Sequence, residues 1–419
     1  MKLLLLILVF AFPLFAQVEY SQGVIPPGEY PGFYLDAANY KGDVEGKTRV
    51  DIYFQIPYGN LQFVKFEDKF MAKYSITLTV YDEKKENVIV EKIWNEKIVA
   101  ADFKETSSES NSKFGFKTFQ LEPNNYVLSC TLFDKDSKKD FQVEGKLEVR
   151  DFSKELKFSD LLFIASEKDS QIVLNITNTI TTSDSSLSFY YEIYSDKSQE
   201  VTVDYTIKSE NESIVLRSKE VVFVDSGATQ IKKKLDNSKI SLGKKKIIVA
   251  ALDESGEPII GVSKEFISKI AGFPAGIIDL DEAIKQMTYI ATGEEIDEIL
   301  EAKNSDEKLA RFREFWKKKD PVPSTEQNKV MREYFRRVAY ANKNFKHYFD
   351  GWKTDMGMIY IVLGPPDNVD RHPFDYDSRP YEIWHYYNIN RSFTFLDETG
   401  FGDYRLLNRN FGDWYRYRQ

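Results

Sequence analysis

From Thr48 to Ile267 the sequence repeats one device: short runs in which alternate residues are apolar, separated by turn-forming clusters. A period of two buries one face of a strand and wets the other, so such runs read as antiparallel sheet. Thr48 to Ile56, Leu61 to Phe66, Tyr74 to Tyr81, Asn87 to Val99, Phe114 to Leu121, Tyr126 to Phe133 and Phe141 to Val149 form a first set. Pro57-Tyr58-Gly59-Asn60 and Glu122-Pro123-Asn124-Asn125 punctuate it. About seven short strands of this kind are the signature of a β-sandwich. A second set runs from Leu156, through Leu187 to Ile193, Val201 to Ile207, Ile214 to Val224 and Lys245 to Leu252, and predicts a second sandwich.

The pattern then changes. Ala271-Gly272-Phe273-Pro274-Ala275-Gly276 breaks the strands, and from Asp279 the apolar period becomes helical. Asp279 with Glu282 and Thr292 with Glu295 have the capping-box spacing, and Ser305 with Lys308 marks a third helix start. Leu309, Phe312, Phe315 and Trp316 share a face, Asp320-Pro321 ends that helix, and another is expected from Thr325 to Phe345. Strands are expected again at Gly357 to Leu363, Tyr381 to Tyr387, Arg391 to Leu396 and Asp403 to Leu407. The expected order is therefore a leader at 1–16, sandwich domains at 17–152 and 153–270, and an α+β domain at 271–419. In that last domain helices would occupy 279–346 and an antiparallel sheet 356–407.

The leader is Met1-Lys2, an apolar run from Leu3 to Phe12, Pro13, and Leu14-Phe15-Ala16 before Gln17. One positive charge, an apolar stretch and a small residue at the cut describe a cleavable export signal, which places the protein in the periplasm or outside the cell. The run is shorter than the ~20 apolar residues of a membrane span. With 57 Lys plus Arg against 66 Asp plus Glu the net charge is −9, a poor match to nucleic acid. The single cysteine, Cys130, sits in the apolar run Tyr126 to Phe133 and reads as an inert core thiol.

Few residues combine into chemistry. Trp352 in Gly351-Trp352-Lys353-Thr354-Asp355 suits a core, and the Thr354 and Asp355 oxygens suit a turn, so a structural corner leading into a strand at Gly357 is expected. His347, His372 and His385 stand near Asp350, Asp370, Asp375 and Asp377, but without metal-ligand spacing, so no metal is expected. Asp134 to Asp140 mimics a calcium loop, with Lys138 at an acceptor position. No nucleophile motif or phosphate loop occurs, so no catalytic residue and no cofactor are assigned. Arg371, Arg379, Arg391, Arg405, Arg409, Arg416 and Arg418, interleaved with Tyr376, Tyr381, Trp384, Tyr386 and Trp414, either pair with acids inside the sheet or form a partner surface.

Five blocks in order resemble the GWxTD-domain family of bacterial secreted or periplasmic proteins. They are Phe315 to Pro321, Ala339 to Asn342 with Gly351 to Asp355, Ile359 to Asp367, Tyr381 to Trp384, and Gly400 to Leu406. The family commonly has a basic residue after the Asp of its name, where this chain has Met356, and Met358 stands where another arginine is frequent. The strand-rich region resembles the immunoglobulin-like sandwiches usual in such proteins. The resemblance implies a fold and an address rather than an activity; the absence of a catalytic motif and the arginine-aromatic bias lead to the expectation of a non-catalytic envelope component acting through another protein. Gly351, Trp352, Thr354, Asp355, Gly364, Pro365, Pro366, Asp367, Trp384 and Arg405 are its candidate binding or structural residues. The rival expectations are a glycan-active enzyme using Asp355, Asp367 or His372, and a glycan binder presenting Trp352, Trp384 or Trp414.

Overall fold

The structure, a computed structural model, describes residues 32–106, 111–153, 155–168, 171–181, 184–238, 240–270, 277, 279–320, 328–373, 379–400 and 402–407. The leader, Asp375, Tyr376, Asp377, Arg409, Trp414, Arg416 and Arg418 lie outside these residues. The chain divides into two compact units, one holding residues 32–180 and 184–268, the other 269–419.

Among the described residues eight strands come first: β1 (Tyr34–Lys41), β2 (Thr48–Pro57), β3 (Val64–Phe66), β4 (Lys69–Asp82), β5 (Val88–Ala100), β6 (Ser112–Leu121), β7 (Asn124–Asp134) and β8 (Asp140–Val149). A four-residue helix, α1 (Phe103–Thr106), joins β5 to β6. One antiparallel sheet has the order β1-β2-β6; the other runs β3-β4-β7-β8, with β5 paired to β4. Both contribute to one core, with Leu35, Val50, Ile52 and Phe54 from the first sheet and Tyr74, Ile76, Leu78, Leu128 and Leu132 from the second. Cys130 lies in that core, and burial pushes its thiol up to about 12.

Ten further strands follow: β9 (Leu156–Phe158), β10 (Leu162–Lys168), β11 (Gln171–Leu174), β12 (Thr179–Thr181), β13 (Ser186–Ser195), β14 (Gln199–Ser209), β15 (Ile214–Val224), β16 (Gly227–Asp236), β17 (Gly243–Leu252) and β18 (Pro258–Lys269). They form two antiparallel sheets, β11-β10-β13-β16 with β9 on β13, and β12-β18-β17-β14-β15. Phe163, Phe189 and Tyr191 meet Tyr205, Val249 and Phe266 in a second core, where the Tyr191 and Tyr205 hydroxyls are 2.7 Å apart.

Polar side chains bind the two β regions together. Asp160 Oδ2 accepts from the Asn39 amide at 2.8 Å and its side-chain nitrogen at 2.7 Å, and Asp160 Oδ1 pairs with Arg150. Lys264 donates to Asp36 and to the Leu161 carbonyl at 2.9 Å. Ala38, Tyr40 and Leu162 close an apolar cluster between them. Two charges so thoroughly dehydrated are tolerable only as a hydrogen-bonded pair.

The second unit holds α2 (Leu280–Gln286), α3 (Gly293–Leu300), α4 (Ser305–Lys319), α5 (Lys329–Asn344), α6 (Asp355–Leu363) and β19 (Asn368–His372), β20 (Tyr381–Tyr386), β21 (Arg391–Asp397) and β22 (Tyr404–Leu406) in one antiparallel sheet. Asp279 caps α2, and Thr292 forms the full capping box with Glu295. The cap of α4 is Asn304 rather than Ser305, which is the first helical residue. The larger correction concerns 357–363: this segment is helix α6, capped by Thr354, and the sheet begins at Asn368. Its Met-Ile-Tyr-Ile-Val-Leu run lacks a polar stripe because Met356, Gly357, Ile359, Tyr360 and Ile361 are all buried, and a helix wrapped on all sides reads like a strand.

Candidate functional site

The Gly351 to Asp355 corner is built from contacts that leave little room for substitution. It leaves α5 as a single 3₁₀ turn over Gly351–Lys353. A Cβ on Gly351 would lie 1.8 Å from the Ala341 carbonyl oxygen, so only glycine lets the turn seat on α5. The Trp352 amide donates to Asn342 Oδ1 at 3.0 Å, and the Tyr289 hydroxyl donates to the Trp352 carbonyl at 2.8 Å. The indole is buried in the helical core beside Ala341 and Ile361, with Tyr289 edge-on at 6.5 Å. Burial, reinforced by Asp355, pushes the Tyr289 phenol up to about 12.

Thr354 bridges turn and helix. Its hydroxyl donates to the Gly351 carbonyl at 2.7 Å and accepts from the Gly357 amide at 3.0 Å. Gly357 is forced to be glycine by the same closeness, since a Cβ there would stand 1.9 Å from the Gly351 oxygen. Asp355 Oδ2 accepts from the Leu406 amide at 2.9 Å, tying the first turn of α6 to β22. Lys353 points outward, 2.9 Å from Asp350 and 5.0 Å above the Trp352 ring. Met356 and Met358 pack into the apolar cluster under the sheet with Trp384 and Phe395, so the two positions offer sulfur and methylene rather than positive charge.

The far end of α6 is closed with equal economy. Gly364 caps it at φ +85°. Arg337 donates to the Ile361 and Val362 carbonyls at 3.2 and 3.1 Å, covering acceptors that a helix end leaves open. Arg337 is held by Glu333 at 2.8 Å, which also takes two bonds from Arg336. Burial raises the Glu333 carboxyl, but the hydrogen bonds from Arg336 and Arg337 outweigh it and hold it at about 2. The Tyr386 hydroxyl donates to the Gly364 carbonyl at 2.8 Å. Pro365 and Pro366 carry the chain to Asp367, whose amide donates to the His385 carbonyl at 2.9 Å and whose Oδ2 accepts from the Tyr387 amide at 2.7 Å.

Trp384 is buried between Phe345 and Phe395, with its N–H on Glu382 at 3.1 Å. Neither Trp352 nor Trp384 therefore presents an exposed ring to a sugar. His372 stacks on Tyr381 at 4.4 Å. His385 bonds Ser392 at 2.8 Å and Asp370 at 3.0 Å, an alignment invisible in the sequence because its members lie on three strands. The Asp370 side chain is half exposed, and a carboxylate in water polarises an imidazole weakly, so the trio reads as a cross-strand polar ladder.

Arg405 remains the accessible member. Its guanidinium lies 3.0 Å from Asp403, and that hydrogen bond, with the nearby charges of Asp403, Asp355 and Glu398, raises its pKa. Together with Leu396, Glu398, Leu406 and Leu407 it lines an open concavity of about 480 Å³. The neighbouring Asp397 accepts from the amides of Gly400 and Gly402 at 2.9 and 2.7 Å and so shapes the adjoining turn. Arg371 is likewise paired, with Glu382 at 3.1 Å, while Arg379 and Arg391 are exposed. Sequence reasoning missed Arg337 and Glu333, whose roles depend on which carbonyl they meet, and it singled out Asn342 only within a family block, without its bond to the Trp352 amide.

These features define a β-rich protein carrying a C-terminal α+β domain organised by a tryptophan turn at a helix start. Residues 261–410 match the GWxTD domain. Among solved structures the chain is similar to a red sea bream transglutaminase, at 10% identity over 57% of this chain and 31% of that one with a TM-score of 0.19. It is also similar to a Bacteroides uniformis β-glucuronidase, at 7% identity over 66% and 34% with a TM-score of 0.20. The chain spans about a third of either protein, and likenesses at these scores carry no argument. No curated protein matches the sequence.

Proposed function

We propose that this is an exported, non-catalytic component of the bacterial envelope or its surroundings that acts by binding another protein, with two immunoglobulin-like sandwich modules preceding the GWxTD domain. One observation carries the reading: the motif residues use their polar atoms on the domain's own backbone. Thr354 bonds Gly351 and Gly357, Asp355 bonds Leu406, and Asp367 bonds Tyr387. Residues so engaged position a surface rather than react. The Arg405 concavity, ringed by acids and apolar Leu406 and Leu407, is the surface they position. Arginine is among the residues enriched at interface hot spots. Among the described residues no helix is long and apolar enough to cross a membrane.

The test is capture of the tagged protein from cross-linked envelopes of its own cells, read by mass spectrometry beside Arg405→Ala. Retention of one envelope protein by the wild type, lost in an Arg405→Ala variant of unchanged circular dichroism, supports the reading. Equal retention by both, or no specific retention, refutes the assignment of this surface.

A further inference from the structure

Strand β5 is an open edge with an unusual sequence. It pairs with β4 without a break from Val90 to Ala100, with a bulge at Ile89 before Val88, and among the described residues no strand pairs its other side. Ile89, Ile93 and Val99 on it are 47%, 59% and 49% exposed. A thirteen-residue edge with apolar side chains in water is a template for another strand unless something covers it.

The order of residues says what fits. Val88-Ile89-Val90-Glu91-Lys92-Ile93-Trp94-Asn95-Glu96-Lys97-Ile98-Val99-Ala100 is nearly self-complementary when read against its own reverse. If two copies pair antiparallel about Trp94, Glu91 faces Lys97, Lys92 faces Glu96, Val90 faces Ile98, Ile89 faces Val99 and Val88 faces Ala100. Each relation occurs twice by symmetry. A two-fold axis through a sheet requires a residue at its centre, so the competing registers are centred on Ile93 or Asn95. The first sets Ile89 against Lys97 and Val90 against Glu96; the second sets Glu91 against Val99 and Lys92 against Ile98. Of these three, only the Trp94 register sets every charge against an opposite charge; its one mismatch sets Ile93 against Asn95. Lys97 also lies opposite Lys73 on β4, a like-charged neighbour that Glu91 of a second copy would offset.

We propose that β5 is a homodimerisation edge, pairing with β5 of a second copy about Trp94 to make one continuous sheet. The charges that ordinarily keep edge strands apart here exclude foreign strands and admit this one. The inference is independent of the partner proposed for the GWxTD domain.

Sedimentation velocity on the whole protein tests it, with circular dichroism as the folding control. Wild type is expected to show a concentration-dependent monomer–dimer equilibrium. Glu91→Lys and Lys97→Glu each turn two attractive cross-strand pairs repulsive, and each alone is expected to weaken the dimer at least about tenfold. An equimolar mixture of the two variants restores opposite charges across the seam and is expected to dimerise like wild type. A wild type that stays monomeric at millimolar concentration overturns the proposal. So does a dimer indifferent to both substitutions, or a mixture that fails to associate.

Discussion

The two units handle charge in opposite ways. The β-rich unit buries Asp36, Asp51, Asp134, Lys157, Asp160, Asp204, Lys245 and Lys264, whereas the second unit, among the described residues, buries only Asp397. The first joins large elements through charged pairs, as Lys264 joins β18 to β1 and Arg150, the residue after β8, pairs with Asp160. The second joins its elements by lending side-chain oxygens to backbone amides, as Thr354 and Asp355 do. Sheets satisfy their own backbone and leave side chains free to bridge, while short helices leave four open amides each, which nearby oxygens must answer.

The largest effect should come from breaking the buried pair. Lys264→Ala leaves Asp36 dehydrated and uncompensated, and should lose about 3–5 kcal/mol in urea unfolding, whereas Asp36→Leu with Lys264→Met should recover most of it. Gly351→Ala in the other unit should cost about 3 kcal/mol, because backbone rather than a flexible tip blocks the new methyl, and the loss should appear in the unfolding of the second unit. Thr354→Ala should cost about 1–2 kcal/mol by the same measurement, and Thr354→Ser much less, since a serine hydroxyl still caps α6.

Glu333 sharpens the contrast by pH. Its carboxyl sits below its ordinary value of 4.5, at about 2, so the stabilisation is present above 4.5 and disappears as pH falls toward 2. The side chain is 43% exposed, so screening reduces the contribution to about 1 kcal/mol. Glu333→Gln should flatten that part of the acid limb in unfolding measured across pH. Arg405→Ala should be smallest, within about 0.5 kcal/mol, since the exposed pair with Asp403 is solvated.

The sequence made strands of the first unit legible where one face is wet, as in β6 and β15, although β16, which alternates as regularly, was not read. It hid β1, where Leu35 to Tyr40 are buried on both faces and no alternation survives. It also hid the true character of α6, whose cap has Gly357 rather than Glu or Gln at the third helical position. The candidate residues were readable as a structural corner, because Trp, Thr and Asp near a turn have few other uses. Their partners Asn342, Tyr289, Arg337 and Leu406 were not, since each is fixed by where a distant element places one backbone atom.

Asp36 stands in the first strand of its unit and Lys264 in the last, 228 residues later. During synthesis the carboxylate emerges long before the cation that makes its burial tolerable. The first β region can therefore collapse early but cannot reach its final state until Lys264 of β18 meets Asp36. The clasp makes completion of the oldest part of the nascent chain wait on the newest, and a chain arrested before residue 264 should display β1 to whatever chaperone is at hand.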